Sequence, residues 1–568
     1  MLLGRIAFAV PLLLIATLSA QTKPAKSRAE SRAGSQIGSH LSPVAVAAMQ
    51  NIRPENIETH VRFLSHDLLE GRGTGQRGGD IAAQYIAAQF ALYGLKPGGD
   101  DGSYLQKVPL VGITPLPDTR FEFVFTNAKG GGASLKPLDD YVAYDQTQQR
   151  ESNVDADIVF VGYGIEAPEY NWDDYKGVDV KGKVLLMLVN EPPSDDPKFF
   201  AGKALTYYGR WTYKYEEAAR KGAIGAILIH KTEMASYGWD VVRNSFSGEQ
   251  SYLQLDGAPR LKAAAWIQME VARNLISSSG LDLDKMMDDA NSRDFKPVAL
   301  PVRLSAQMRS KVRPFESNNV IALLPGTGAT LKDEGVMYTA HYDHLGIRPE
   351  MPGDNIYNGA MDNATGCGIL MEIARAYAEA KQKPARSVYF VSVTAEEQGL
   401  LGSEYLGQHP PIPVGKISLD LNYDDVMPLG APEEVEVSGA ERTTFYAAVQ
   451  AMAQEFRFQI RPDSRPEAGH YYRSDHFSLA RAGIPAFSIN EGIKFKGHDE
   501  AWGLAQDADY LAHHYHQPSD EYHPGMDYTS DAALACFGFA LGWEAANQPR
   551  LVGWKTGDEF EKARRASQ

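Results

Sequence analysis

From Asn319 onward the chain alternates short apolar runs with helix-like segments, and this alternation limits the fold more than any other feature. Strand-like runs at 336–340, 387–393, 416–422 and 485–489 are interleaved with helix-like segments at 364–380, 399–407 and 442–456, and a last one follows at 530–545. Runs that are apolar throughout belong to strands covered on both faces. Their alternation with helices predicts an α/β fold with a mixed, largely parallel sheet and helices on both faces. In such sheets ligands collect beyond the carboxyl ends of the strands. Three runs end in an imidazole or a carboxylate: His341 after Val336–Ala340, Glu396-Glu397 after Val388–Val393, and Asp424 after Ile417–Leu421. Asp362 before Asn363, and His516 in Tyr515-His516-Gln517-Pro518, complete a set that can hold two divalent metals and one general base. A polar residue after a strand is ordinarily the start of a solvated loop, so the inference rests on all of these residues together.

The texture differs between about 155 and 290. Short strands at Ile158–Gly162, Val184–Val189 and Ile224–His230, with a helix-like Tyr213–Lys221, predict a separate, inserted, smaller β-rich α/β module. Residues 21–44 read as a flexible linker and 551–568 as a charged tail, leaving 45–154 and 291–550 as the two parts of the main domain. Helical spacing of apolar residues at 57, 61, 64 and 68, and again over 81–92, opens that domain with two helices. The intervening Gly73-Thr74-Gly75-Gln76-Arg77-Gly78 formally matches a dinucleotide fingerprint, but a helix precedes it where a strand is required. Gly177–Lys183 nearly spells a phosphate-binding loop, yet Val184 replaces the hydroxyl that would meet Mg²⁺. Both are read as glycine-containing turns.

Arg5, the apolar Ile6–Leu18 and the small Ser19-Ala20 together read as a secretory signal over residues 1–20, so a secreted or periplasmic protein is expected. No later segment is apolar enough to predict a membrane span. The net charge of −16 opposes nucleic-acid partners. With only Cys367 and Cys536 there is no disulfide framework, although a single bridge and two buried free thiols both stay open. Any zinc would therefore be held by imidazoles and carboxylates.

The runs His341-Tyr342-Asp343, Gly359–Gly366, Ala395–Ser403, Asn422-Tyr423-Asp424, Ser474-Asp475-His476 and Tyr515–Asp520 resemble, in order, the co-catalytic di-zinc peptidase family of bacterial leucyl-type aminopeptidases and glutamate carboxypeptidases. Leu69-Glu70-Gly71-Arg72 is similar to that family's N-terminal segment. The resemblance implies two Zn²⁺ ions, with Asp362 as bridge, His341 and Asp424 on one ion, Glu397 and His516 on the other, and Glu396 as general base. It favours His516 over His513 and His514, which spacing cannot separate. It also places Asp475 and His476 in support, and Tyr515 and Arg473 where some relatives stabilise the oxyanion. Asp425 stands where many relatives have an apolar residue; the resemblance still takes Asp424, not Asp425, as the ligand. Asp343 is expected to accept the ring N–H of His341. Val161–Gly164, Asp179–Val184 and Ala218–Ala223 resemble the protease-associated domain found inserted in several exopeptidases, a module without catalytic residues.

The expectation is a secreted zinc exopeptidase acting on peptide substrates, foremost an aminopeptidase, with Glu491, Asp499 and Glu500, in a loop between Ile489 and Tyr515, as candidates for holding the free α-amine. A carboxypeptidase or a glutaminyl cyclase on the same scaffold, and a non-catalytic binding ectodomain, are the alternatives. Oligomeric state is not legible in the sequence.

Overall fold

The apolar runs pair as their composition requires. In the computed structural model, strands Gly335–His341, Ser387–Val393, Ile417–Asn422 and Ala486–Ser488 run parallel, with 335–341 between 387–393 and 417–422. Side chains alternate between faces, as the period of a strand dictates. Tyr338, Ala340 and Phe390 enter one core with Ile57, Phe90, Ile373 and Leu541, from helices Pro54–Leu64, Arg77–Leu92, Gly366–Glu379 and Thr529–Asn547. Met337, Val391 and Val393 enter the other with Leu406 and Leu479, from helices Leu401–Gln408 and Asp475–Ala482. The structure describes residues 42–568 except 127–129, 236, 255, 256, 350, 352 and 464. The expected signal and most of the expected linker lie outside the described residues.

The module has its own parallel set, Glu151–Phe160, Val184–Leu188, Gly225–His230 and Ala263–Gln268, edged by antiparallel Tyr141–Tyr144. One 27-residue strand, Val298–Leu324, joins the two halves. It pairs with 151–160 through residues 298–309, with Leu105–Pro115 through 310–320, and with 387–393 through 320–324. Pairing therefore draws the module wider than 155–290, because Arg120–Phe125 and 141–144 belong to its sheet on one side and 298–309 on the other. Pro301 and Pro314 break the sequence signal of this strand, and Pro301 falls at the register shift between Ala299 and Arg303, where a ladder bond is already missing.

Three further expectations change. Helix Pro43–Met49 starts inside the expected linker. The charged tail is docked: helix Glu561–Ser567 buries Arg564, which donates to Val414 O at 3.0 Å and Val552 O at 3.2 Å. The loop expected between Ile489 and Tyr515 contains helix Glu500–His513, capped by Asp499 accepting from Trp502 N at 2.9 Å. Cys367 and Cys536 are unbridged, and the Cys367 thiol donates to His341 O at 3.1 Å.

Candidate metal centre

Register brings the strand ends level. His341 pairs with Val393, and Thr339 with Asn422, so the loops carrying Glu396-Glu397 and Asp424 leave the sheet beside His341. Asp362 arrives from the turn Ala360–Thr365 that opens helix 366–379. Gly359 before it has φ 58°, and a Cβ there would lie 2.1 Å from Asp362 O, so the approach requires glycine. Asp520 fixes the turn, accepting from Met361 N at 2.9 Å and Asp362 N at 3.1 Å. Arg72, fully buried, fastens the two loops together: it donates to Tyr342 O at 2.7 Å, Leu64 O at 2.7 Å, Gly359 O at 2.8 Å and Asn358 O.

Two groups of donors result, sharing Asp362. His341 Nε2 lies 3.2 Å from Asp362 Oδ1 and 2.9 Å from Asp424 Oδ1. His516 Nε2 lies 3.3 Å from Asp362 Oδ2 and 3.2 Å from Glu397 Oε2. Donors bound about 2.0–2.2 Å from one tetrahedral ion stand roughly 3.4 Å apart, close to these separations. The donor chemistry points the same way. His341 Nδ1 lies 3.1 Å from Asp343 O, an acceptor to which Nδ1–H donates, so a neutral His341 ring turns its Nε2 lone pair toward the oxygens of Asp362 and Asp424. Only a cation, a proton or a metal, makes such a contact attractive. Accordingly, burial works against a charged His341, yet Asp424 and Glu396 outweigh it and hold its pKa well above the ordinary imidazole value. Burial is likewise overcome at Glu397, whose pKa His516 and His344 bring down to about 2. The residues present fit a pair of divalent cations.

Among the described residues, Glu396 belongs to neither triplet of donors close enough to share an ion. Its carboxyl is pushed well above the usual range by burial and by the neighbouring Asp424 and Glu397 carboxylates, against His341. The role expected of Asp343 changes: its carbonyl meets the His341 ring, whereas its carboxylate is 3.8 Å away. That carboxylate instead accepts from Glu396 N at 3.1 Å and Thr74 Oγ1 at 2.8 Å, so Asp343 holds the backbone of the general-base candidate. Ser474 donates to Asp424 Oδ2 at 2.5 Å and is itself held by Asn422 at 2.8 Å. Asp475 and His476 are buried behind it. Asp425 turns aside at φ 57° and accepts from Tyr510 OH at 3.2 Å, so Asp424 is the residue that meets His341.

Other candidates separate in space. Tyr515 stacks on the His516 ring at 4.0 Å. His513 faces Asp509 at 2.8 Å, and His514 contacts Ser519 O at 3.0 Å, both away from the cluster. Arg473 faces the module: it lines a cleft with Arg210 and Tyr237, and its guanidinium lies 5.9 Å from the Tyr237 ring. Glu491 is buried and accepts from Met427 N at 3.0 Å, while Glu500 pairs with Arg461 at 3.4 Å and Lys494 at 3.5 Å; neither they nor the helix cap Asp499 reaches the cluster through these contacts. Sequence reasoning missed His344, whose Nδ1 is 2.5 Å from Glu397 Oε1. A second histidine three positions after His341, past the same strand end, was the available signal.

Comparison with known proteins adds a family and a fold. Residues 319–536 match the sequence profile of peptidase family M28. A protein of Leptosphaeria maculans described as a "Probable zinc metalloprotease" is 30% identical over 179 residues, 31% of this chain and 35% of that protein. Carboxypeptidase Q of Pongo abelii is 25% identical over 279 residues, 49% of this chain and 50% of its own length. The chain thus spans half or less of the length of these relatives. An aminopeptidase from Aneurinibacillus sp. strain AM-1 has a similar fold, with a TM-score of 0.51 and 18% identity, covering 89% of this chain and 97% of that one.

Proposed function

We propose that the chain, whose residues 319–536 match peptidase family M28, is an exported exopeptidase using two zinc ions, foremost an aminopeptidase. The observation that carries this reading is the shared Asp362, whose two oxygens face two separate imidazoles at 3.2 and 3.3 Å. His341 and Asp424 would hold one ion, Glu397 and His516 the other, and Asp362 both. When bound, such a pair supplies Lewis acidity and lowers the pKa of water from 15.7 toward about 7. Glu396 would take a proton from the attacking water at its carboxylate and return it to the leaving amine. Tyr515, stacked on His516, is the candidate donor to the oxyanion. Asp425, half-buried beside the centre with Tyr510 as its hydrogen-bond partner, replaces Glu491, Asp499 and Glu500 as the candidate for a free α-amine. The inserted module keeps its protease-associated reading.

One observation favours carboxypeptidase action as a second reading. Arg210 and Arg473 line one cleft, each with a buried Nε that meets no acceptor, and neither forms an ion pair among the described residues. Arg473 adjoins Ser474, which touches Asp424, so the two guanidiniums offer a substrate carboxylate a charge partner on the module side of that segment. Parallel assays of free and N-acetylated peptides test the choice. Cleavage of the free-amine peptides alone is the expected result; cleavage that ignores N-acetylation but requires a free C-terminus would overturn the aminopeptidase reading. Full activity after chelation would remove the metal-dependent reaction altogether.

A further inference from the structure

The proposed reaction gives no task to one side chain inside the centre. His344 is 1% exposed, and its backbone is set by the segment that carries Arg72: His344 N donates to Arg72 O at 3.3 Å, and Gly73 forms a bridge with it. Its Nδ1 lies 2.5 Å from Glu397 Oε1 and 3.8 Å from Asp362 Oδ2, while Nε2 is enclosed without a partner. His344, Asp362 and Glu397 are close enough to one another that His344 could itself be read as a ligand.

We propose that His344 is instead a positioning residue, whose Nδ1–H occupies Glu397 Oε1 and leaves Glu397 only Oε2 for the cation beside His516. The inference rests on the two-cation reading above. Distances decide between the two roles. Atoms bound to one tetrahedral ion at about 2.0–2.2 Å stand roughly 3.4 Å apart, so a 2.5 Å contact is too close for co-ligands. It is a hydrogen-bond distance, at the short end expected for charge-assisted pairs. Glu397 Oε2, by contrast, is 3.2 Å from His516 Nε2, a separation suited to shared coordination. Catalytic zinc keeps three protein ligands and an open position. Asp362, Glu397 and His516 make three, and a bidentate Glu397 or a coordinating His344 would fill the fourth. The T-shaped contact of the His344 and His516 rings, 5.7 Å between centroids, is consistent with His344 standing behind the carboxylate.

The test compares His344→Leu, which removes the donor, with His344→Asn, whose amide can replace Nδ1–H, using zinc-binding titration against a competing chelator. In His344→Leu one of the two zinc affinities should fall about 10–100-fold, the usual loss for a group that orients a ligand, with the other unchanged. His344→Asn should restore it, and melting of the zinc-free proteins checks that both variants fold. X-ray absorption of the wild-type protein should count about one imidazole per zinc, since a histidine occupies one position of each site. Unchanged affinities in His344→Leu, equal losses in both variants, or about three imidazoles on two zincs would overturn the assignment. Wild-type protein that binds no zinc would instead overturn the proposed function, whatever His344 does.

Discussion

The peptidase half and the module are built alike, each on four parallel strands covered by helices, and each buries charge, but only one is arranged for a cation. In the module Lys214, Asp174 and Glu191 are 0%, 1% and 7% exposed. There the acceptors have donors: Ile165 N meets Asp174 at 2.9 Å, Thr206 N meets Glu191 at 2.9 Å, and Lys214 supplies a nearby positive charge. Burial pushes Asp174 to about 6 and Glu191 to about 7, and brings Lys214 down to about 7, so protons can balance the group without a metal. At the carboxyl ends of the peptidase strands the imidazole nitrogens of His341 and His516 converge on oxygens of Asp362, Asp424 and Glu397 at 2.9–3.3 Å, separations that suit atoms sharing one cation. Among the described residues, both triplets able to hold an ion lie in that half. Buried charge alone does not make a metal site; imidazoles and carboxylates converging at the spacing of shared ligands are needed as well.

Four experiments would break or sharpen this contrast. The largest effect is expected from Asp362→Ala, which removes the carboxylate common to both groups: zinc content after dialysis should fall below one per chain and turnover should vanish, whereas two retained zincs would separate the groups from the metal. Next, Glu396→Gln should lower kcat by about 10²–10⁴-fold with zinc content unchanged, as expected for loss of a general base; retained turnover would release Glu396 from that role.

Lys214→Met should leave zinc binding intact and destabilise the module most at about pH 6.5, where Lys214, with a pKa of about 7, still carries its charge while Asp174, at about 6, has lost its proton. With carboxyl pKa values raised to about 6 and 7, the penalty should shrink at pH 5, where both groups take up protons. Urea unfolding at the two pH values checks it, and equal losses would deny the charge balance. The smallest effect belongs to Glu491, held protonated by burial with a pKa of about 8. Because the folded form binds this proton more tightly than the unfolded one, stability is present below the ordinary carboxylate pKa and is lost as pH rises through about 8. Glu491→Gln should therefore gain thermal midpoint over wild type at pH 9 and little at pH 4. A gain of equal size at both values would contradict the assignment.

Much of the centre could be read because strands impose direction. His341, Glu397 and Asp424 follow apolar runs, and parallel pairing of those runs leaves one geometry for their ends. Where a residue's neighbour in sequence points elsewhere, spacing fails. Asp425 and Asp424 differ only by the turn at φ 57°, and Asp343 serves through its carbonyl to His341 and through its carboxylate to Glu396. Arg473 adjoins Ser474, yet it opens toward the module, a relation across domains that no local pattern encodes. The strand 298–324 was hidden by its prolines. Helix 500–513 was hidden because it buries only Gly503 and Tyr510, so its apolar spacing marks no core.

The central claim is that two cations sit side by side on Asp362. Anomalous diffraction at the zinc edge, from crystals of the full chain grown with zinc, tests it most directly. Two peaks are predicted, one touching His341, Asp362 and Asp424, the other Asp362, Glu397 and His516, separated by about 3.5–4 Å. A single peak, or peaks away from Asp362, would contradict it.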